Sequence, residues 1–194
     1  MKTTIKNNII HIRFENQYEL TSTMVRMQEF YESPFPEING KYFTLDKFMD
    51  VYVEHSKDNE FTYFTDWEGF NLPGKVVNKF LRMYLFRLRE KESIIFSKIP
   101  LSMLLGFKKF YLIATFDDDC LVHETAHALY DLNLDYRDDM LSLIHQLSEK
   151  KRNSWYKKLE KQGYCKEVFN DEIQAYSIDK GDKKFQDIYN HYLK

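Results

Sequence analysis

The chain has 194 residues, with 28 Lys plus Arg against 30 Asp plus Glu and a formal net charge of −2. It therefore carries no global basic field of the kind that attracts nucleic acid or an anionic membrane. Apolar residues make up 43% and aromatic residues 16%, too many for a disordered chain, while six Gly and four Pro are too few for a turn-dense all-β fold, so helices should dominate.

The N-terminus, MKTTIKNNIIHIRF, lacks the apolar run of a secretory signal. Residues 8–14 read as a strand and residues 17–31 as a helix stopped by Ser33-Pro34 and Pro36. Asn39-Gly40 marks a turn. From Thr44, a plausible N-cap, the segment TLDKFMDVYVEHSK places Leu45, Phe48, Met49, Tyr52 and Val53 at helical spacing. An aromatic, turn-rich stretch follows, and then an amphipathic helix over 75–90 with Val76, Val77, Phe80, Leu81, Tyr84, Leu85 and Leu88 on one side. Its cations read as a solvated face. The apolar stretch 94–116 is broken by Lys98, Pro100, Gly106, Lys108 and Lys109, so no membrane span is expected there. Residues 109–116, KFYLIATF, read as a strand, and Asp117 to Asp119 supply carboxylates ahead of a further helix.

That helix carries the chemistry. Residues 119–132, DCLVHETAHALYDL, contain His123-Glu124-Thr125-Ala126-His127, an H-E-x-x-H motif. On a helical wheel His123, Glu124, His127 and Asp131 share one side. Leu121, Val122, Thr125, Ala128, Leu129 and Leu132 form the opposite, mostly apolar side. Two imidazoles four apart can aim ring nitrogens at one ion about 2.0–2.1 Å away, as zinc requires. Glu124 stands beside that axis, where it can take a proton from an attacking water and pass it to a leaving nitrogen.

A catalytic zinc keeps three protein ligands, so a third donor should come from another element. Asp131 is better placed to orient an imidazole than to ligate. Cys120 and Cys165 would complete a closed Cys₂His₂ structural site, a reading that leaves Glu124 without purpose. The two cysteines otherwise cannot make a disulfide scaffold, and they favour a reducing, cytoplasmic setting. The stronger candidate follows the helix around 138–148, which reads as core, and the basic helix SEKKRNSWYKKLEK, which Gly163 stops. Asn170 or Asp171 could cap a new helix holding Glu172-Ile173-Gln174-Ala175-Tyr176, where small Ala175 permits close approach to the motif helix. Glu167 and Asp171 are alternative ligands. His11, His55, His145 and His191 have no ligand-spaced companion and read as locally bonded.

His123-Glu124-x-x-His127 followed by the E-x-x-A helix, Glu172 to Ala175, resembles the gluzincin branch of zinc metallopeptidases, in which a glutamate on a later helix is the third ligand. The E-x-x-A element is similar to that of CAAX-processing peptidases, where an Asp usually follows the Ala; Tyr176 takes that place here. The long gap between His127 and Glu172 is more like that of the anthrax lethal-factor type than the short gap of the thermolysin type. In the former a tyrosine shortly before the glutamate assists the oxyanion, a role the resemblance extends to Tyr164. It also implies that the strand Tyr111 to Thr115 lies at a sheet edge and aligns substrate by β-addition.

The expectation is thus one α+β, mainly helical zincin-like domain with a small sheet. Its lobe 1–109 and zinc-binding half 110–194 would flank an active site. His123, His127 and Glu172 would bind Zn²⁺, Glu124 would act as general base, and Tyr164 or Tyr176 would steady the oxyanion or a ligand. The partner would be a peptide or protein, with no nucleic acid and no integral membrane segment. The rival reading is a non-catalytic metal-binding or protein-interaction module on the same fold.

Overall fold

A computed structural model describes residues 1–194. It is mainly helical with one four-stranded mixed sheet, the α+β architecture that the low Gly and Pro content favours. No helix is long and apolar enough to cross a membrane. The chain divides into two compact units, Met1–Cys120 and Leu121–Lys194.

The first unit is built on strands β1 (Lys2–Lys6), β2 (Ile9–Arg13), β3 (Gly69–Pro73) and β4 (Tyr111–Thr115), in the spatial order β1-β2-β4-β3. The β2–β4 pair is parallel and the other two are antiparallel. Register sets the core. Ile10 lies opposite Leu112 and Ile12 opposite Ala114, while Phe70 and Leu72 meet the same two β4 residues from the other side. All six are buried in one apolar cluster, as a period-two pattern with one inward face demands.

Helix α1 (Gln17–Glu32) starts at Asn16, whose side chain accepts from the Glu19 amide at 2.9 Å. It is buried continuously from Leu20 to Phe30, so its polar side chains need internal partners. Arg26 finds one in Glu92, which accepts from Arg26 Nε at 2.8 Å and from Arg89 Nε and the Arg89 amide at 2.9 Å each. Helix α2 (Leu45–His55) begins where the sequence predicts, with the Thr44 hydroxyl capping the Lys47 amide at 3.2 Å. The short α3 (Tyr63–Asp66) joins Phe48, Tyr52 and Phe61 in a cluster of edge-on rings.

Several sequence expectations need correction here. Helix α4 spans Gly74–Tyr84, not 75–90. The buried Tyr84 hydroxyl accepts from the Phe43 amide at 2.8 Å, and the chain then turns through an Arg87–Tyr84 backbone bond toward Arg89 and Glu92. Leu85 consequently faces solvent rather than the core. The stretch after it forms α5 (Glu90–Ser97) and α6 (Leu101–Leu104), which the sequence reading left unassigned, as it did β1 and β3. Most consequential is β4: it is paired on both sides and buried throughout. It has no free edge, so it cannot align a substrate by β-addition. Being the middle of the sheet also places it in the first unit, so the division falls after Cys120 rather than before residue 110. Gly74 is required at the β3–α4 junction, because a Cβ there would sit 2.5 Å from the Phe110 carbonyl, which already accepts from the Gly74 amide at 2.8 Å.

The second unit is wholly helical: α7 (Leu121–Leu132), α8 (Leu134–His145), α9 (Glu149–Lys161), a 3₁₀ turn (Lys166–Val168), α10 (Phe169–Asp179) and α11 (Lys183–Leu193). Asn133, Ser148 and Asp182 cap α8, α9 and α11, and Gly163, at φ +90°, supports the stop after α9. The core-reading residues Met140 and Ile144 are indeed buried, along with Tyr136, Leu159, Ile173, Ala175, Ile178 and Phe185.

Candidate metal centre

Helices α7 and α10 build the site together. Ala126, Ala128 and Ala175 are fully buried, and their small side chains let the two helices pack closely. Helix α7 turns its Thr125–Leu129 stretch inward and leaves His123 and Glu124 half-exposed. Across from it, α10 presents Glu172, whose residue is 8% exposed.

The three side chains His123, His127 and Glu172 come together as one group, with a ligand atom from each lying within 4.8 Å of the others. The facing Nε2 atoms of the two histidines are 3.0 Å apart. Glu172 Oε1 is 3.8 Å from His127 Nε2, and Glu172 Oε2 is 4.0 Å from His123 Nε2. Tetrahedral donors about 2.0–2.1 Å from a zinc ion stand roughly 3.3 Å from one another. The two-nitrogen, one-carboxylate set therefore fits that ion in donor type, and its separations lie within about 0.7 Å of the ideal spacing.

The outer nitrogens are equally defined. His123 Nδ1 is 2.7 Å from Asp179 Oδ2, and His127 Nδ1 is 2.8 Å from Asp171 Oδ1. A carboxylate at Nδ1 fixes that nitrogen as the donor and leaves Nε2 to point inward with its lone pair. Asp171 is itself held: its Oδ1 accepts from Gln174 Nε2 at 3.0 Å, and Gln174 Oε1 accepts from the Tyr136 hydroxyl at 2.6 Å. Gln174 and Tyr136 are fully buried, so a hydrogen-bonded chain runs from the core of the unit to the imidazole.

Charge balance points the same way. Burial pushes the His127 imidazolium down, but Asp171, Glu172 and Glu124 outweigh burial and raise its pKa to about 9.

The remaining sequence candidates fall as follows. Tyr176 packs its ring against that of His123 at 4.9 Å, and its hydroxyl lies 3.2 Å from that of Tyr164. Burial, the Tyr176 contact and the charges of Glu172 and Glu124 push the Tyr164 phenol up, so it stays protonated as a donor. Glu124 acts on both His127 and Tyr164 electrostatically, which places it beside the set. Asp131 offers only its backbone carbonyl, to Arg137, and both imidazole positions it was expected to orient are occupied by Asp171 and Asp179. Asp171 is neither a ligand nor a cap, because α10 begins at Phe169. Glu167 is exposed on the 3₁₀ turn. Cys120 Sγ donates to the Glu68 carbonyl and Cys165 is exposed, and neither belongs to the ligand group. His11 and His55 are locally bonded, to Thr115 and to the Val51 carbonyl.

No known family, curated protein or solved structure matches this chain. The site is therefore read from its own geometry. Sequence reasoning missed Asp179, although a signal for it existed: it stands two helical turns after Glu172, on the same face of α10.

Proposed function

We propose that this protein is a zinc-dependent metallopeptidase of gluzincin type, with His123, His127 and Glu172 as ligands and Glu124 as general base. The observation that carries the reading is the paired arrangement of two inward Nε2 atoms, each with its Nδ1 held by a separate carboxylate, facing Glu172. A purely structural helix pair has no need of that convergence. When bound in such a set, zinc polarises a peptide carbonyl and acidifies water.

The chain's own groups supply the rest. Asp171 and Asp179 hold the imidazoles in the Nδ1–H form and fix their rings. Glu124, one residue past the first ligand, accepts the proton of the attacking water and returns it to the leaving amine. The Tyr164 hydroxyl, braced by Tyr176, donates to the oxygen on which negative charge develops. Three zinc ligands leave one position for substrate or water, as hydrolysis requires. The near-balanced charge supports a peptide or protein substrate over nucleic acid, and a count of only two cysteines, too few for a disulfide scaffold, supports a reducing, cytoplasmic setting.

The test is elemental analysis combined with hydrolysis of a mixed peptide pool. One zinc per chain and cleavage abolished by Glu124→Gln are expected. Zinc bound without cleavage would favour the non-catalytic metal-binding reading, and cleavage untouched by Glu124→Gln would sink the mechanism.

A further inference from the structure

Beside the ligand group, α9 and the C-terminus of α10 gather four side chains, of which the proposed peptide chemistry uses only the Tyr176 hydroxyl. Trp155 and Tyr176 lie with their rings nearly parallel, 22° apart and 6.1 Å between centroids. Lys158 Nζ stands over both rings, 4.9 Å from the Tyr176 centroid and 5.3 Å from that of Trp155, and Lys180 Nζ stands 4.0 Å from the Trp155 centroid. Two ammonium groups therefore share one indole. Outside the two site histidines, the ion-paired cations are the N-terminus, Arg13, Arg26, Arg89 and Lys151, so neither Lys158 nor Lys180 is paired with a carboxylate. Tyr176 connects this pair to the site, because the same ring packs 4.9 Å from His123.

Holding like charges together without a counter-ion is unfavourable. The ring faces offset part of that cost through attraction to their π-electrons. The arrangement leaves two neighbouring ammonium donors one aromatic ring away from the candidate ligand His123, where a carboxylate would neutralise them. We propose that Lys158 and Lys180, seated on Trp155 and Tyr176, form a subsite for a carboxylate of the substrate. The subsite rests on the peptidase reading for its role, and it narrows the substrate class to peptides that present an acidic group near the scissile bond. That group is either an Asp or Glu side chain or the peptide's own C-terminus. Burial and the neighbouring Lys158 hold the Lys180 ammonium below its ordinary pKa, in keeping with a pair that lacks an anion.

The chain has two tryptophans, so Trp67→Phe leaves Trp155 as a fluorescent reporter beneath both ammonium groups. Three random hexapeptide pools are titrated into Glu124→Gln/Trp67→Phe protein, with zinc and without: one with free C-termini, one amidated with a single Glu, and one amidated with Gln in its place. We expect one of the carboxylate-bearing pools to bind roughly five- to tenfold more tightly than the neutral pool at low salt, with the preference weakening as salt rises. Which pool it is identifies the carboxylate. Lys158→Met/Lys180→Met should abolish the preference, and both lysines are exposed, so the fold should tolerate the change. Equal affinity for all pools, or a preference that survives the double substitution, overturns the subsite. A preference that persists without zinc while the wild-type holoenzyme cleaves no pool sinks the peptidase reading but leaves the carboxylate site standing.

Discussion

Asp171 Oδ1 sits 2.8 Å from His127 Nδ1 and accepts from Gln174 Nε2 as well. One carboxylate oxygen thereby ties the His127 imidazole to the buried core of its unit. Replacing Asp171 with Asn removes the negative charge that fixes the Nδ1–H form, and zinc affinity should fall by about 10–100-fold. Asp179→Asn should do the same through His123. Competition with a chromogenic chelator measures both, and unchanged affinity in either variant would show that its carboxylate does not support the metal.

Glu124→Gln separates binding from turnover. The variant should retain one zinc per chain, since Glu124 is not in the ligand group, while hydrolysis drops by at least about 10²-fold. Zinc content and peptide cleavage are read on the same sample.

Tyr164→Phe removes a donor whose phenol is held in the protonated form. An oxyanion donor typically contributes about 10²–10³-fold in kcat, so kcat should fall by that order with KM little changed. Tyr176→Phe removes only the 3.2 Å contact between the hydroxyls and should have the smaller effect. The reverse order would transfer the oxyanion role to Tyr176.

Glu29 predicts a pH dependence of stability unrelated to the metal. Burial raises its carboxyl above the ordinary 4.5, only partly opposed by the polar groups of Tyr63 and Ser33 nearby. The folded state therefore binds this proton more tightly than the unfolded chain does. The favourable contribution is fully present below pH 4.5 and is lost as pH rises through the elevated folded pKa. Glu29→Gln should accordingly raise Tm relative to wild type at pH 7–8, with the gap narrowing as pH is lowered. A gap that is constant with pH would remove Glu29 as its source.

Glu92 is the structural counterweight to two arginines in the first unit. Its side chain is fully buried, and Arg26 beside it is 4% exposed. Glu92→Gln leaves a buried guanidinium uncompensated and should cost about 3–5 kcal/mol, measured by denaturant unfolding. A loss under 1 kcal/mol would mean that Arg26 finds another partner among its backbone contacts to Phe43 and Arg87.

The sequence disclosed the parts of this molecule that depend on local periodicity. Strand β2, helices α1 and α2 with the Thr44 cap and the one-sided motif helix α7 were all readable that way, whereas the approach of Glu172 to His123 and His127 was expected from the E-x-x-A resemblance and not from periodicity. What stayed hidden depends on distant partners. Residues 85–89 carry on an apolar helical pattern, yet the buried Glu92 draws Arg89 out of it. KFYLIATF looks the same at an edge as at the centre of a sheet, because only its neighbours distinguish the two. The role of Asp171 was obscured for a similar reason: its proximity to the α10 N-terminus suggested a cap, while the imidazole that claims it comes from another helix.

The position of β4 has a further consequence, for the order of folding. Its parallel partner β2 pairs Ile9 with Tyr111 and Arg13 with Thr115, a closure over about a hundred residues whose entropy must be lost before the contact is made. Strands β1 and β2 can form a hairpin early during synthesis, but the edge of β2 stays unfilled until β4 emerges. Since β3 also pairs only with β4, the whole sheet waits on one five-residue strand. Until then two apolar strand edges are open to other chains, and substitutions that slow β4 docking should show first as aggregation during expression rather than as a lower melting temperature.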